Sequence, residues 1–336
     1  MLSKVSTKAK KPKALVLFSG GLDSTLAMKL TIDQGVDVEA VHFSTPFSTT
    51  NEQFIDKFCK GMCIRLHKIF LGQEFLKMVI RPHHGYGSRM NPCMDCRILM
   101  LKKANELGKK IGADFLVTGE VLDERPFSQK RELMLLIERE AGLDGKVLRP
   151  LSAKLLPETE PEKKGLVRRE DLLGIKGRRR LPQMELAKNL GIKEYLSPSS
   201  GCLLTDPRFA DRLREHLKHE RRLSLKDAEL LKVGRHFRIG KDKVIVGRNE
   251  EENRRLLSIA EKNGLACMEV IGYMGPLTLI AGRADPETLE KAAAITARYS
   301  DSPKTATAKV RCTRKQKERI LEVVSIEDEE ARRFSV

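Results

Sequence analysis

The run ALVLF at residues 14–18, followed at once by SGGLDS and by LDSTLAMKLTIDQG, constrains the fold more than any other stretch. A strand that is apolar at every position has no face to give to water, so it belongs inside a parallel sheet covered by helices. The alternation then repeats. VDVEAVHF reads as a strand, NEQFIDKFCKGM as a helix, IRLHKIFL as a strand, DCRILMLKKANELGKKIG as a long helix and DFLVTGE as a further strand. This pattern predicts an α/β domain with a doubly wound parallel sheet over residues 13–222, behind a basic N-terminal tail at 1–12.

LLPETEPEKKG lacks the apolar periodicity needed to bury anything and is expected to be an exposed loop. LPQMELAKNLG reads as a short helix, with Pro182 in its first turn and Gly191 past its end. YLSPSSGCLLTDP is a turn-rich segment carrying Ser200, Gly201 and Cys202, and FADRLREHLKHERR is a helical bridge to a different pattern. From Leu223 short strands (HFRI, KVIVG) precede a helix over NEEENRRLLSIAEKNG, the apolar segment ACMEVIGYMGPLTLIAG and a helix over PETLEKAAAITARYS. These predict a smaller α+β domain over 223–325, with residues 326–336 a flexible polar tail.

The chain of 336 residues carries 63 Lys plus Arg against 46 Asp plus Glu, a net charge of +17. A surplus that large points to a polyanionic partner. With only 5% aromatic residues, phosphate contact is a better source of affinity than base stacking. Arg168, Arg169, Lys176, Arg178, Arg179 and Arg180 concentrate that charge. No run approaches the roughly eighteen apolar residues of a membrane span, and MLSKVSTKAKKPK passes into the first strand without a signal-peptide core. The expected location is the cytoplasm, where seven cysteines read as reduced thiols.

SGGLDS lies where a strand hands over to a helix. Gly20 and Gly21 let the backbone approach a ligand, Ser19 and Ser24 offer hydroxyls, and the helix N-terminus beyond aims free N–H groups at an anion. The string is neither a Walker loop nor a dinucleotide fingerprint. It resembles the pyrophosphate loop of the PP-loop ATPases, which cleave ATP between the α and β phosphates to adenylate a substrate. The resemblance implies ATP and Mg²⁺, with Asp23 orienting the loop or helping to hold the metal. It also implies adenine and ribose contacts from strand ends, at His42, Phe43, Ser44, Thr118 and Gly119.

Asn91, Pro92, Cys93 and Cys96, followed later by Ser200, Gly201 and Cys202, resemble the tRNA thiouridine synthetases of the 2-thiouridylase type. On that resemblance Cys96 and Cys202 are the catalytic cysteines, one carrying sulfur and the other releasing it or acting as nucleophile. Cys93 stands where many members have Asp. Three thiolates can hold three irons of a [4Fe–4S] cluster and leave the fourth open to sulfide, so a cluster on Cys93, Cys96 and Cys202 ranks first. A persulfide relay ranks second and Zn²⁺ third. The helix N-terminus after Cys93 is expected to lower thiol pKa values. Cys59 and Cys63, spaced i, i+4, could pair on one helix face, but burial and an interruption at Gly61 explain them better; Cys267 and Cys312 read as core, and His83 and His84 as the remaining candidate ligands.

GEVLDERPFSQ, residues 119–129, follows a strand end and resembles a signature of thiouridylase-like PP-loop proteins; Arg125 and Gln129 are its candidate RNA contacts. KDKVIVGRNEEENRRLL resembles the core motif of the RNA-binding module of the NFACT proteins, with Arg248 and Asn249 as candidate contacts; a turn capped by Asn249 explains the same string. With the loop at residue 19, the N-terminal RNA-binding extension usual in 4-thiouridine synthetases is expected to be absent. RNA capture is therefore expected from this module and from Arg178, Arg179 and Arg180. The resemblances together imply ATP-dependent tRNA uridine thiolation, with tRNA and a sulfur donor (sulfide, a cysteine desulfurase or a sulfur carrier) as partners. A homodimer stays open. Two alternatives remain, a PP-loop enzyme acting on a small metabolite and a non-catalytic nucleotide-binding RNA-binding protein. The first would not need the C-terminal domain for turnover, and the second would tolerate loss of Asp23 and Cys96.

Overall fold

The computed structural model describes residues 11–196 and 201–336; residues 1–10 of the basic tail and Ser200 lie outside the described residues. The chain divides into two compact units between Thr205 and Asp206.

The first unit runs β1 (Lys13–Leu17), α1 (Leu22–Asp33), β2 (Asp37–Ser44), α2 (Glu52–Gly61), β3 (Leu66–Phe70), α3 (Gln73–Ile80), α4 (Cys93–Ile111), β4 (Phe115–Thr118), α5 (Arg131–Glu140), β5 (Val147–Leu148), α6 (Glu160–Lys163) and α7 (Leu181–Asn189). Its sheet is parallel, in the order β3-β2-β1-β4-β5. The two-residue period of a strand sends alternate side chains to opposite faces. Ala14, Val16 and Phe18 pack with Ile55 and Leu172, whereas Leu15 and Leu17 pack with Ile98, Leu101 and Ile137. This is why ALVLF has no polar position. The chain steps outward from β1 to β3, then crosses back to lay β4 on the other side of β1. The loops after β1 and β4 therefore face each other at the switch point, where ligands of such sheets bind.

Beneath that point runs a buried ionic chain. Arg149, just past β5, donates through Nε to Glu120 at 3.0 Å and through Nη1 to Glu138 on α5. Glu120 also accepts from Thr118 Oγ1 at 3.1 Å and pairs with Arg97 on α4 at 3.4 Å. Burial pushes Glu120 up, but Arg97 and Arg149 outweigh it and hold the carboxyl below its ordinary range.

Two expectations for this unit change. LLPETEPEKKG is not all exposed loop: it contains α6, closed by a Thr159–Glu162 capping box, with Pro161 and Glu162 buried. Glu162 is buried through polar pairing, with Arg169 at 2.5 Å, which apolar periodicity does not register. Helices α3 and α5 lie between the segments read as elements.

The second unit contains α8 (Pro207–His219), α9 (Leu225–Leu231), β6 (Arg235–Ile239), β7 (Asp242–Val246), α10 (Glu250–Asn263), β8 (Ala266–Val270), β9 (Thr278–Ala281), α11 (Pro286–Arg298), β10 (Thr307–Arg314), β11 (Lys317–Val324) and α12 (Asp328–Phe334). Its sheet is antiparallel, in the order β11-β10-β8-β9-β7-β6. Val244, Val246 and Ile280 pack with Ala292, Ala293 and Ile295 of α11; Ile245 and Leu279 pack with Leu230, Leu256 and Ala260 of α9 and α10. Both faces are covered over β7 and β9, while Lys309, Ile320 and Glu322 on β10 and β11 are exposed.

The boundary falls earlier than residue 222, because α8 belongs to the second unit. Its Glu215 accepts from Arg238 on β6 at 2.6 Å and from Lys243 on β7 at 3.2 Å. Residues 326–336 are not a loose tail either. Ala331 and Phe334 of α12 join the core, and Val336 N donates to His236 O at 3.0 Å.

Arg149→Met leaves Glu120 and Glu138 as buried carboxylates without their shared cation. It is expected to cost about 3–5 kcal/mol, measured by urea unfolding followed by circular dichroism.

Candidate nucleotide and thiol site

The phosphate loop leaves β1 through Gly20, whose φ of 76° suits glycine, and enters α1 through Gly21 as N-cap. A Cβ on Gly20 would lie 2.9 Å from Ile55 and Leu196 side-chain carbons. The loop is tied internally: Ser24 Oγ donates to Gly21 O at 2.9 Å, and Ser19 N donates to Ser24 Oγ at 3.3 Å. Across the switch point a Cβ on Gly119 would stand 2.5 Å from Asp23 C and Ser24 N. Only glycine after β4 lets the start of α1 pack this closely. Thr118 is buried and engaged with Glu120. His42 is buried with Nδ1 on Phe18 O at 2.9 Å, while its Nε2 has no hydrogen-bond partner. Phe43 and Ser44 end β2, half-buried.

Asp23 sits among charges. Its Oδ2 lies 3.4 Å from Arg180 Nη2, and Arg180 also donates to Glu124 Oε1 from Nη2 at 2.7 Å and from Nε at 3.2 Å. Burial and Glu124 push the Asp23 carboxyl up to about 6, against the pull of Arg180, Arg125 and the Gln183 amide. Asp23 Oδ1 and both amide atoms of Gln183 make no hydrogen bond, though that amide favours the carboxylate charge. Arg180 therefore lies against the phosphate loop, part-buried, while Arg178 and Arg179 are exposed.

The thiols come from two distant segments. Pro92 is the N-cap of α4, and Asn91, buried, donates from Nδ2 to Cys93 Sγ at 3.1 Å. Cys202 pairs as an isolated bridge with Ser48. Leu203 N donates to Phe47 O at 3.0 Å, Thr49 Oγ1 to Gly201 O at 2.8 Å, and Met90 N to Leu204 O at 3.3 Å. These bonds carry Cys202 to the loop after β2 and to the approach to α4, within electrostatic reach of Cys93 and Cys96. Burial pushes the Cys96 thiol up to about 12 and the Cys202 thiol up to about 11. The expected lowering by the helix N-terminus is outweighed at Cys96 by loss of water.

The donor chemistry of the three thiols suits a soft metal. As they stand, however, no three His, Cys, Asp or Glu side chains among the described residues are placed to hold a metal ion. Ligation requires the thiols to turn toward a common point.

The other candidates sort by their partners. Arg125 is exposed, and its charge lowers the pKa of Asp23, Cys96 and Cys202 alike. Gln129 is buried with a partnerless Oε1, so it is not an open RNA contact. Backbone N–H groups of His83 and His84 donate to Asp95 at 2.8 and 3.1 Å, and the His84 ring meets Glu140 at 3.0 Å. Cys59 is buried and Cys63 exposed beyond the end of α2, so they do not pair. In the second unit Asn249 caps α10 by accepting from Glu252 N at 2.9 Å, and Arg248 forks onto Glu252. Both serve the turn, as the capping explanation has it. Sequence reasoning missed Glu124 and Gln183. Glu124 lay inside a quoted motif, and nothing in LPQMEL marks Gln183.

A glycine loop that opens a helix at the switch point of a doubly wound parallel sheet is the arrangement of an α/β nucleotide-binding domain. Residues 9–154 match the family model described as Thiamine biosynthesis protein (ThiI), and residues 234–335 match that of the NFACT protein RNA binding domain. The first match falls on the parallel-sheet unit and the second on the antiparallel-sheet unit. It is 32% identical over 147 residues to a probable tRNA sulfurtransferase of Caldanaerobacter subterraneus subsp. tengcongensis, covering 41% of this chain and 36% of that protein. It is 31% identical over 118 residues to the tRNA-specific 2-thiouridylase MnmA of Sulfurimonas denitrificans, covering 33% of this chain and 35% of that protein. The chain spans about a third of the length of the curated relatives it matches. Among solved structures, a 4-thiouridine synthetase–RNA complex with bound ATP is similar at 21% identity and a TM-score of 0.39, over 66% of this chain and 52% of that one.

Gly119→Ala drives a methyl into the backbone at Asp23 and Ser24. It is expected to cost about 1–3 kcal/mol by thermal melting and to weaken ATP binding in titration calorimetry.

Proposed function

We propose that this chain is an ATP-dependent tRNA uridine sulfurtransferase. The observation that carries the reading is the docking of the Cys202 segment on the loop after β2 and on the approach to α4, at the same edge of the parallel sheet as the phosphate loop. The exposed Arg125 guanidinium favours charge on Asp23, Cys96 and Cys202 alike. Nucleotide activation and thiol chemistry then share one reaction space, into which a uracil can be brought. The relatives named as a tRNA sulfurtransferase and a tRNA-specific 2-thiouridylase, the NFACT-type domain and the +17 charge support tRNA as the acceptor. The cytoplasm, where tRNA is modified, is the location this reading carries.

In this reading the backbone at Gly20 and Gly21 and the N-terminus of α1 hold the pyrophosphate. The partnerless Asp23 Oδ1 suits the magnesium ion that accompanies ATP. The uracil carbonyl oxygen attacks the α-phosphorus, the bond to the β-phosphate oxygen breaks, and pyrophosphate leaves. Sulfur then bonds to the same carbon and AMP departs with the oxygen. Arg125 stabilises the charge that develops on the adenylate phosphate and offsets the burial that keeps Cys96 and Cys202 protonated. Cys93, Cys96 and Cys202 are the proposed ligands of a [4Fe–4S] cluster, which when bound supplies an iron that accepts sulfide. A persulfide on Cys96 or Cys202, received from a cysteine desulfurase, is the second route: its outer sulfur bonds to the carbon as AMP leaves, and the other thiol then attacks the inner sulfur, breaking the S–S bond and forming a disulfide. Arg178 and Arg179, both exposed, are proposed for RNA phosphate.

Purified anaerobically and incubated with tRNA, ATP and sulfide, the full chain is expected to yield thiouridine by mass spectrometry of digested tRNA. Asp23→Ala and Cys96→Ser should each abolish the product while the protein stays folded. Iron and acid-labile sulfide should co-purify and be lost in Cys93→Ser. Thiolation from sulfide by an iron-free, zinc-free protein would overturn the cluster and leave direct attack of hydrosulfide on the adenylate, whereas thiolation that needs sulfane sulfur from a cysteine desulfurase would shift the step to the persulfide route; retention of thiolation by both Asp23→Ala and Cys96→Ser would leave only the non-catalytic reading.

A further inference from the structure

The start of α7 lies outside the span matched by the ThiI model, and its charge read as part of an RNA-facing cluster; the structure turns two of its side chains toward Asp23. Arg180 Nη2 lies 3.4 Å from Asp23 Oδ2, and its Nε and Nη2 grip Glu124 at 3.2 and 2.7 Å. Gln183, with no exposed surface, keeps both amide atoms without a hydrogen bond beside the same carboxylate. α7 packs on α1 through Ala187, Leu22 and Leu26, so these side chains move with the phosphate loop. Gly177 N donates to Leu122 O at 2.7 Å, tying the approach to α7 onto the loop that bears Glu124.

We propose that Arg180 is a positioning residue of the nucleotide site: it pairs with one oxygen of Asp23 so that the other, buried and unpartnered, is set to bind the magnesium ion carried by ATP. Glu124 anchors the Arg180 guanidinium and keeps it from drifting onto solvent or RNA. A fork that grips two carboxylates is a task for arginine, since the ammonium of lysine offers no planar pair of donors. Hydrogen-bonded neighbours of metal-binding carboxylates set ligand orientation, and their loss costs metal affinity. The inference rests on the proposal that the chain uses ATP, but not on the identity of the acceptor.

The test is titration calorimetry of the full chain with ATP in excess magnesium and with ATP in a chelator, on wild type, Arg180→Ala and Arg180→Lys. Thermal melting of each unliganded variant confirms folding. Arg180→Ala is expected to weaken magnesium–ATP binding about 10–100-fold with metal-free ATP little changed. Arg180→Lys should recover only part of the loss. Equal weakening of both titrations, or none, overturns the assignment, the first by making Arg180 a direct phosphate or fold contact and the second by returning it to the RNA face. A wild-type chain that binds no ATP overturns the ATP-dependent reading itself, and this one with it.

Discussion

The approach of Gly119 to the backbone of Asp23 and Ser24 is the constraint on which the first unit turns. A parallel sheet supplies a crevice only where its strand order reverses, and the crevice is useful only if both bordering loops come close enough to share a ligand. Here the end of β4 touches the first turn of α1 with no side chain between them. The geometry also settles what lies below. Glu120, the next residue, must be buried, and it is tolerated because Arg149 and Arg97 meet it there. A loop-level requirement for glycine becomes a core-level requirement for an ionic chain.

The sequence made the sheet legible because continuous apolar runs admit few homes. ALVLF, the long α4 and the glycine loop each obeyed a single physical rule, and the structure places them where those rules send them. What escaped was held by polar partners. α6 buries a glutamate against an arginine, α12 adds only two apolar side chains to the core, and the β10–β11 hairpin turns through Lys315 and Gln316, both at positive φ, without the Gly, Asn or Asp that marks such turns.

Legibility of the site followed the same line. Motifs announced the glycines and the thiols, since those residue types are needed for backbone approach and for soft chemistry. They did not announce which arginine goes where. Arg178, Arg179 and Arg180 are chemically identical in a string, yet only Arg180 has Glu124 and Asp23 across from it. Gln129 shows the same limit, a polar residue in an exposed-looking motif whose side chain is buried inside the fold, whereas Asn249 caps a helix while staying exposed.

The attachment of Cys202 to Phe47, Ser48 and Thr49 has a further consequence for how the site is held together. In the sequence, β1 to β4, the phosphate loop and two of the three thiols all precede Cys202, which lies in a separate segment. The sulfur site is thus built from both ends of the first unit. The two thiols of α4 meet their third neighbour only through the docking of the segment at Gly201 on the loop after β2, so whatever loosens that docking takes the third thiol away and leaves the phosphate loop in place.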